Sequence, residues 1–431
     1  MRTYLHIILL LIAGGTILPQ HTTFAQTEGG KKKEINWSVN IKKKKDSLDM
    51  TFLNLGLLTN LEEQRGVGIN VISSVVRRDM KGMQLAGIMS FSGKNAKGLQ
   101  IGGLANIAKH NASGVMLSGL MNATNGDAEG MQMAGIVNVT GHQYNGLAIG
   151  GLMNVSAEEM NGLQLSGLLN ASGGKLRGGQ IALLSNVGMS VKGVQVSAVS
   201  NIAGKEVSGL QLSSVANIAL NSDKALQITS LTNICLGNMK GVQFSLGNYA
   251  ENVKGCQIGL FNLSTGKVNG WQIGVVNHSK DTTAHKIGLI NICPRTRIQP
   301  LIFVGNTSKI NLGVRFKNRR TYNIIGIGSH YLDLNDKFSG CLYYRTGLYF
   351  PVSKRFEVSG DLGYFHIENF ENENAEIPER MYSIQARLNV EYKPLRKLGV
   401  FASGGYAMTR YYKKNKFFEK EPIVEVGIAL F

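Results

Sequence analysis

Apolar and polar residues follow a short repeating pattern through the middle of this chain. Residues 98–107 (GLQIGGLANI) return as residues 130–139 (GMQMAGIVNV) and again as residues 162–170 (GLQLSGLLN). Within each unit apolar residues alternate with polar or small ones and many are β-branched, which is typical of strands. The period of 14 to 16 residues matches none of the common helical repeats. The pattern therefore predicts short β-strands, about ten uncharged residues per unit, joined by turns of about five residues.

Amide side chains mark the repeat units. An asparagine recurs every 14 to 16 residues, and a glutamine precedes most of these asparagines by five or six residues. In a stack of identical strands each amide can donate to the next copy and accept from the previous one. We therefore predict structural ladders formed by Asn106, Asn122, Asn138, Asn154, Asn170, Asn186, Asn201, Asn217 and Asn233, and by Gln100, Gln132, Gln164 and Gln180.

Charged residues avoid the strand-like part of the repeat. Acidic residues such as Asp127, Glu159 and Asp223 all fall in the turns, and Lys286 is the one clear charge at a marker position. In a parallel, in-register stack a charge would face like charges about 4.8 Å away, which is unfavourable. The distribution of charge thus favours parallel stacking of the units.

A change of spacing late in the array predicts a corner within each unit. Six residues separate Gln100 from Asn106, but only five separate Gln257 from Asn262. Deleting one residue inside a strand would turn every later side chain to the other face, so the deletion must lie at a corner or bulge. Two short strands, a glycine corner and a polar turn make one coil of a β-solenoid, and the array predicts about 15 coils.

The alternative interpretation of the repeats is one large transmembrane β-barrel with a single strand per unit. Its support is the apolar face formed by residues such as Leu99, Ile101 and Ile107. Against it, the repeats almost lack the Tyr and Trp girdles of membrane barrels.

The last quarter of the chain has a different composition. Pro294 and Pro300 mark the end of the repeats, and 11 of the 14 Tyr lie beyond them. Strand-like runs with aromatic residues near their ends predict an antiparallel β-meander or small barrel. We expect Ile35–Ile41 to supply one more strand, which closes the barrel against the last one. The alternative is a soluble β-sandwich that caps the solenoid.

The N-terminus predicts export. Residues 1–25 combine Arg2, an apolar run and a small-residue cleavage site, which is typical of a signal peptide. Residues 26–49 form a basic arm with a possible strand, residues 50–308 form the repeats, and residues 309–431 form the C-terminal meander or barrel.

The charge of the chain narrows the classes of partner, and the spacing of its cysteines argues against disulfides. The formal net charge is +18, but no aromatic or glycine pattern accompanies the lysines, which argues against nucleic-acid binding. Cys235 and Cys293 occupy the same repeat position four units apart, beyond the reach of a disulfide. We expect all four cysteines to be small buried hydrophobic residues.

The C-terminal region resembles bacterial outer-membrane β-barrel proteins, whose last strand commonly ends in Phe. Phe431 matches after the alternating Val424, Val426, Ile428 and Leu430, but Gly427 and Ala429 at the usual alternating positions are small, so the match is partial. The resemblance implies an outer-membrane location and assigns Phe431 as the signal read by the barrel-assembly machinery.

The repeats resemble the Gly-Leu-Gln-x-Gly-x-x-Asn type of bacterial surface repeat-containing proteins. The resemblance covers about residues 50–308. It implies a cell-surface location and no defined activity.

These observations predict a cell-envelope surface repeat protein of a Gram-negative bacterium, anchored in the outer membrane, with a structural or binding role. Expected partners are the membrane, its assembly machinery, and a surface polysaccharide or protein. Acidic residues and histidines are scattered over separate units, so we predict no catalytic site, cofactor or metal. The alternatives are an outer-membrane pore and a polysaccharide-acting enzyme.

Overall fold

A computed structural model describes residues 33–37, 50–318, 320–333, 337–372, 379–395, 397–412 and 417–430. Regular structure in these ranges is entirely β-strand. The chain divides into two units, Met1–Gly237 and Asn238–Phe431. The predicted fold class is confirmed, because a parallel β-solenoid of about 15 turns precedes a closed, eight-stranded antiparallel β-barrel.

Each coil of the solenoid contains a corner and a polar turn segment. Between Met80 and Ser166 these separate two short strands per coil, whereas from Leu169 to Ile258 the strand runs on through the turn segment into the next coil. In one coil the strand Ala96–Gly102 ends at the corner Gly103-Leu104, and the strand Ala105–Ala108 leads into the turn. Parallel pairing sets each residue on its counterpart in the next coil. This parallel register excludes the alternative of one large antiparallel membrane barrel for the repeats.

The strands of the repeats begin with β1 (Lys33–Trp37), β2 (Met50–Leu61), β3 (Glu63–Val76), β4 (Met80–Ala86), β5 (Met89–Ser92), β6 (Ala96–Gly102), β7 (Ala105–Ala108), β8 (Ala112–Ser118) and β9 (Met121–Thr124). Next come β10 (Ala128–Ala134), β11 (Val137–Thr140), β12 (Tyr144–Gly150), β13 (Met153–Ser156), β14 (Met160–Ser166), β15 (Leu169–Ala182), β16 (Ser185–Ser197), β17 (Ser200–Ser213) and β18 (Ala216–Thr229). The division between the two units falls within β19 (Thr232–Phe244). The second unit contains β20 (Gly247–Ile258), β21 (Phe261–Ser264), β22 (Val268–Ile273), β23 (Val276–Ser279), β24 (His285–Ile287) and β25 (Ile290–Ile292).

One glycine per coil is required by backbone geometry. Gly162 has a φ of 127°, and a Cβ there would lie 2.1 Å from the carbonyl oxygen of Gly146 in the preceding coil. Only glycine adopts such a conformation at low cost. Where the repeat carries Ala225 instead, the preceding Lys224 takes the positive φ, at 52°.

The barrel strands are β26 (Arg297–Gly305), β27 (Ile310–Lys317), β28 (Thr321–Ser329), β29 (Leu332–Asp333), β30 (Lys337–Pro351), β31 (Phe356–Asn372), β32 (Arg380–Leu395), β33 (Leu398–Tyr411) and β34 (Phe417–Leu430). All except the two-residue β29 form the wall. Antiparallel pairing of β26 with β34, from Leu301 with Ala429 to Gly305 with Glu425, closes the cylinder. Closure excludes the alternative of a β-sandwich cap.

Two sequence-based boundaries are wrong. The barrel begins at Arg297 within the predicted repeat range 50–308, because β26 pairs with barrel strands on both sides. The predicted strand at Ile35–Ile41 does not close the barrel, since β1 pairs in parallel with β2 of the solenoid. The two errors are linked: β26 supplies the eighth strand, so the barrel needs none from the N-terminus. The predicted signal peptide lies outside the described residues.

The backbone constraint at Gly162 gives a test. We expect Gly162→Ala to destabilise its coil by about 3 kcal/mol or more, because both the positive φ and the overlap with a backbone oxygen oppose a Cβ. Limited trypsin digestion of the full-length protein should then cleave faster at Lys175 and Arg177. Gly179→Ala is the matched control, since its Cβ would meet only the flexible tip of Leu163. Equal cleavage of the two variants would contradict the constraint.

Candidate functional site

The barrel has a polar interior and an apolar exterior. Strand β32 shows this most simply, because its side chains alternate strictly between the two surfaces. The side chains buried in the lumen are Ser383, Gln385, Arg387, Asn389 and Glu391, and the exposed ones between them are Ile384, Ala386, Leu388 and Val390. This arrangement is the reverse of that in a water-soluble β-barrel and the same as in membrane barrels.

Aromatic side chains border the apolar exterior at both ends. On β32, Tyr382 and Tyr392 stand ten residues apart on the outer face. At about 3.3 Å per residue and a strand tilt of about 40°, they bound a band about 25 Å high. Tyr392 packs on Phe356 with ring centroids 4.8 Å apart, and Tyr382 packs on Tyr412 at 5.1 Å. The spacing matches the hydrocarbon band and girdles of a transmembrane barrel.

Buried ion pairs occupy the centre of the lumen. Arg345 makes a two-pronged pair with Asp361, with Nε and Nη2 donating at 2.9 and 2.8 Å. The Tyr322 hydroxyl donates to the same carboxylate at 2.7 Å. Arg387 donates through Nε and Nη2 to Glu425 at 3.0 and 2.9 Å. Such paired geometry compensates the desolvation of buried charges.

Further pairs and aromatic rings fill the rest of the lumen. Nearer the end where the chain enters the barrel, Arg315 pairs with Glu391 at 2.7 Å and Lys317 pairs with Glu357. Toward the opposite end, the ring of Tyr343 stacks on Phe365. An eight-stranded barrel has an interior just wide enough for side chains to fill.

Opposite charges are equal in number within the lumen. Among the described strand residues that are buried there, four are basic and four are acidic: Arg315, Lys317, Arg345 and Arg387, with Glu357, Asp361, Glu391 and Glu425. A lumen filled by mutually paired charges is a packed polar core. Sequence analysis missed these residues, although single charges at alternating positions within apolar strands were a usable signal.

The predicted asparagines form one hydrogen-bonded column inside the solenoid. From Asn106 to Asn233 each Nδ2 donates to the Oδ1 of the asparagine in the next coil, at 2.8 to 3.0 Å. The second N–H of each amide also finds an acceptor, as when Asn154 donates to the carbonyl of Leu165 at 2.6 Å. From Asn122 to Asn217 both donors and the acceptor are used, which explains why buried amides are tolerated here, while the Oδ1 of Asn106 at the start of the column has no partner.

The predicted glutamines form a second column that is interrupted. Gln180 donates to Gln164 at 2.8 Å, toward the preceding coil and therefore opposite in direction to the asparagines. Gln100 likewise donates to Gln84, but Gln132 meets the sulfur of Met116 instead of an amide. In the second unit, Lys286 replaces the glutamine of its coil, pairs in register with Gln272 and donates to the carbonyl of Ile292. Burial lowers the pKa of Lys286 to about 8.

The outside of each coil is apolar around its corner and polar around its turn. The second corner residue is a Leu, Ile or Val that is 36% to 50% exposed in every coil from Ile88 to Leu289, and it follows a glycine in nine of these fourteen coils. We call this column the apolar edge. Its members are Ile88, Leu104, Leu120, Ile136, Leu152, Leu168, Leu184, Val199, Val215 and Leu231 in the first unit, and Leu246, Leu260, Val275 and Leu289 in the second. Within each unit, such a column of exposed apolar side chains indicates contact with a partner or a membrane.

The remaining predicted features are placed as follows. Phe431 lies outside the described residues. All four cysteines are free; Cys235 and Cys341 are buried, whereas Cys256 and Cys293 are partly exposed, which corrects the expectation that all are buried. Among the described residues no three His, Cys, Asp or Glu side chains converge as a metal site. That part of the chain also contains no helix that could cross a membrane.

Comparison with known proteins finds similarity to solved structures over about a third of this chain. No family model and no curated protein matches the chain. A de novo designed transmembrane β-barrel is 17% identical over 32% of this chain and 95% of its own, with a TM-score of 0.22. The attachment invasion locus protein Ail of Yersinia pestis is 14% identical over 31% of this chain and 92% of its own, with a TM-score of 0.19.

The asparagine column gives a prediction about stability. Asn154→Ala removes one link and leaves a donor of Asn138 and the Oδ1 of Asn170 unpaired in the interior. We expect the free energy of local opening to fall by about 2 to 4 kcal/mol, the cost of two unsatisfied buried groups. Hydrogen exchange of the full-length protein should show faster exchange in the coils around residue 154.

The control for this prediction is Asn161→Ala in the following coil. Asn161 makes an exposed amide pair with Asn145, so its loss should change exchange little. If both variants exchanged at the same rate, the column would not be a source of stability.

Proposed function

We propose that this chain is an outer-membrane protein of a Gram-negative bacterium, in which the barrel is a membrane anchor and the repeats are the working part. The observation that carries the proposal is strand β32, with charged and amide side chains inside and only apolar ones outside between Tyr382 and Tyr392. Burying that exterior in hydrocarbon is favourable, whereas leaving it in water is not. The predicted signal peptide and the recognition of Phe431 by the assembly machinery belong to this proposal.

The filled lumen favours an anchor over the alternative of a pore. Ion conduction requires a continuous aqueous path, but Arg345, Asp361, Arg387 and Glu425 meet across the centre of the barrel. Opening such a path would separate buried charges, at several kcal/mol for each pair.

The repeats fit a structural or binding role. The asparagines and glutamines of the two internal columns are hydrogen-bonded to each other inside the coils. A partner therefore contacts the polar turns and the apolar edge, not these amides. The described acidic side chains of the coils are spread along the array, singly or as sequence neighbours such as Glu158 and Glu159, and this distribution does not favour a polysaccharide-acting enzyme. A polysaccharide or protein partner at the turns, and the absence of catalysis, stay predictions.

We infer the side of the membrane on which the repeats lie from how the chain enters the barrel. The last coil joins β26 at the end that carries the connections 318–320, 352–355 and 396–397. At the opposite end the intervals between wall strands are 330–336, 373–379 and 412–416, which are longer, and 306–309, which is as long as 352–355. Bacterial barrels place their short turns in the periplasm and their long loops outside the cell. We therefore place the repeats on the periplasmic side, in place of the cell-surface location that the repeat resemblance implies.

The lipid-facing exterior gives the first test of the function. We expect Leu388→Arg, near the middle of the apolar band, to cost about 2 to 4 kcal/mol, while Leu395→Arg beyond Tyr392 costs about 0 to 1 kcal/mol. The folded barrel should migrate differently from the heated one in a detergent gel, and its unfolding temperature should fall only for the first variant. A barrel that does not shift on heating, or equal effects of the two substitutions, would refute membrane insertion.

Labelling of intact cells tests the side of the membrane. A cysteine at Lys205→Cys, in a polar turn of the repeats, should react with a membrane-impermeant maleimide only after the outer membrane is permeabilised. Arg380→Cys, at the end with the long connections, should react in intact cells. The parent protein corrects for the partly exposed Cys256 and Cys293. The reverse labelling pattern would place the repeats outside the cell.

A further inference from the structure

A cleft of about 1020 Å³ lies between the last coil and the short-turn end of the barrel, within the second unit. The coil contributes Trp271 and His285, and the barrel turns contribute Arg320 and Lys354. The volume suits a ligand of the size of a lipid headgroup.

The charge of this cleft is strongly positive. Of its acidic side chains, Glu357 is engaged by Lys317 and Lys393, and Asp281 accepts hydrogen bonds from the backbone of Val268 and Thr283. Four further cations line the cleft and have no acidic partner in the described part of the chain: Arg295, Arg297, Arg320 and Lys354. Unpaired guanidinium groups at a cleft favour a phosphate, which they can bind through two parallel hydrogen bonds.

The last coil rests against the outer wall of the barrel. The carbonyl of Gly288 accepts hydrogen bonds from Asn323 Nδ2 at 3.1 Å and from the Tyr344 hydroxyl at 3.3 Å. Both donors alternate along their strands with the lumen residues Tyr322 and Tyr343, so they belong to the exterior. Leu289 of the apolar edge follows Gly288 directly. This part of the edge therefore adjoins the surface that faces lipid.

An exposed aromatic pair stands beside the cations. Trp271 is 47% exposed and stacks on His285, with ring centroids 4.9 Å apart. Tryptophan is enriched where protein crosses from hydrocarbon to headgroups, because its ring is apolar and its N–H is polar. Cations, an apolar edge and an interfacial tryptophan thus meet at one end of the barrel.

We propose that this cleft binds the phosphate of an anionic glycerophospholipid, whose acyl chains lie along the apolar edge of the last coils and the barrel wall. The proposal rests on the membrane insertion proposed above. The short-turn end belongs to the periplasmic leaflet, which consists of glycerophospholipids, whereas lipid A and its phosphates occupy the opposite leaflet. The bound lipid would hold the last coils of the array, which are nearest to the barrel, against the membrane surface.

Trp271 provides the reporter for a direct test. The chain has two tryptophans, so Trp37→Phe leaves Trp271 as the single source of tryptophan fluorescence. The full-length variant, delipidated in a neutral detergent, is titrated with phosphatidylglycerol or phosphatidylcholine brominated in the acyl chains. We expect phosphatidylglycerol to quench Trp271 at a concentration at least ten times lower than phosphatidylcholine does, and 0.5 M salt to weaken the difference. Equal quenching by the two lipids would overturn the proposal.

A charge-matched pair of variants separates the cleft from general electrostatic attraction. Removing three cleft cations by Arg295→Gln, Arg297→Gln and Arg320→Gln should weaken phosphatidylglycerol binding about 100-fold, given the contribution of each cation at a lipid surface. Removing three exposed cations of the first unit by Lys97→Gln, Lys109→Gln and Lys192→Gln should change it less than threefold. Equal weakening in the two variants would show that net charge, not the cleft, attracts the lipid.

Two further measurements test which ligand occupies the cleft and whether the barrel inserts into the membrane. Tighter binding of lipid A than of phosphatidylglycerol, or full displacement of phosphatidylglycerol by millimolar inorganic phosphate, would overturn the assignment to a glycerophospholipid. Each variant is also checked for heat-modifiable migration of its barrel. A heat-modifiable wild-type barrel without preference for phosphatidylglycerol would refute this inference alone, whereas a wild-type barrel that is not heat-modifiable would refute the proposed membrane anchor.

Discussion

Internal satisfaction of polar groups is the constraint on which this structure depends. In the coils, Asn154 uses both N–H groups and its oxygen inside the protein, and in the barrel Arg345 and Asp361 satisfy each other in the lumen. Because most buried polar groups in these interiors are paired within them, the outer surfaces around the coil corners and along the barrel strands are free to be apolar. The two parts of the chain have different folds, but each buries paired polar side chains and leaves apolar side chains exposed on part of its surface.

Parallel stacking explains both what the repeats contain and what they exclude. In the interior, a residue that lies directly on its own copy can be an amide, which both donates and accepts, or an apolar residue, but not a charge of one sign. Like charges stack only where water screens them, as when the exposed Lys81 pairs in register with the exposed Lys97. Glycine at the position of Gly162 follows from the same geometry, because the backbone of the preceding coil occupies the space of a Cβ. Changes in unit length are accommodated at the corner and the turn, where they do not move the side chains of the strands from one face to the other.

The filled barrel and the apolar edge together suggest how the protein works. In the function proposed above, a lumen closed by ion pairs makes the barrel an anchor in the membrane instead of a pore. The same proposal places the repeats in the periplasm, because the last coil joins the short-turn end. There the positive cleft and the apolar edge of the neighbouring coils have the chemistry of a lipid-binding surface, while the polar turns stay available to other partners.

The sequence by itself determined the coil. The period of 14 to 16 residues and the recurring asparagines from Asn106 onward, at positions that carry almost no charge, specify parallel stacking, because each of these signals is local and repeated. The aromatic strands after Pro300 likewise predicted a barrel. Only the tertiary structure decided that Arg297–Gly305 belongs to that barrel, that Ile35–Ile41 does not, and that Arg387 meets Glu425, 38 residues away. Those features depend on which strands become neighbours when the sheet closes, and a single occurrence of a distant pairing leaves no periodic trace along the chain.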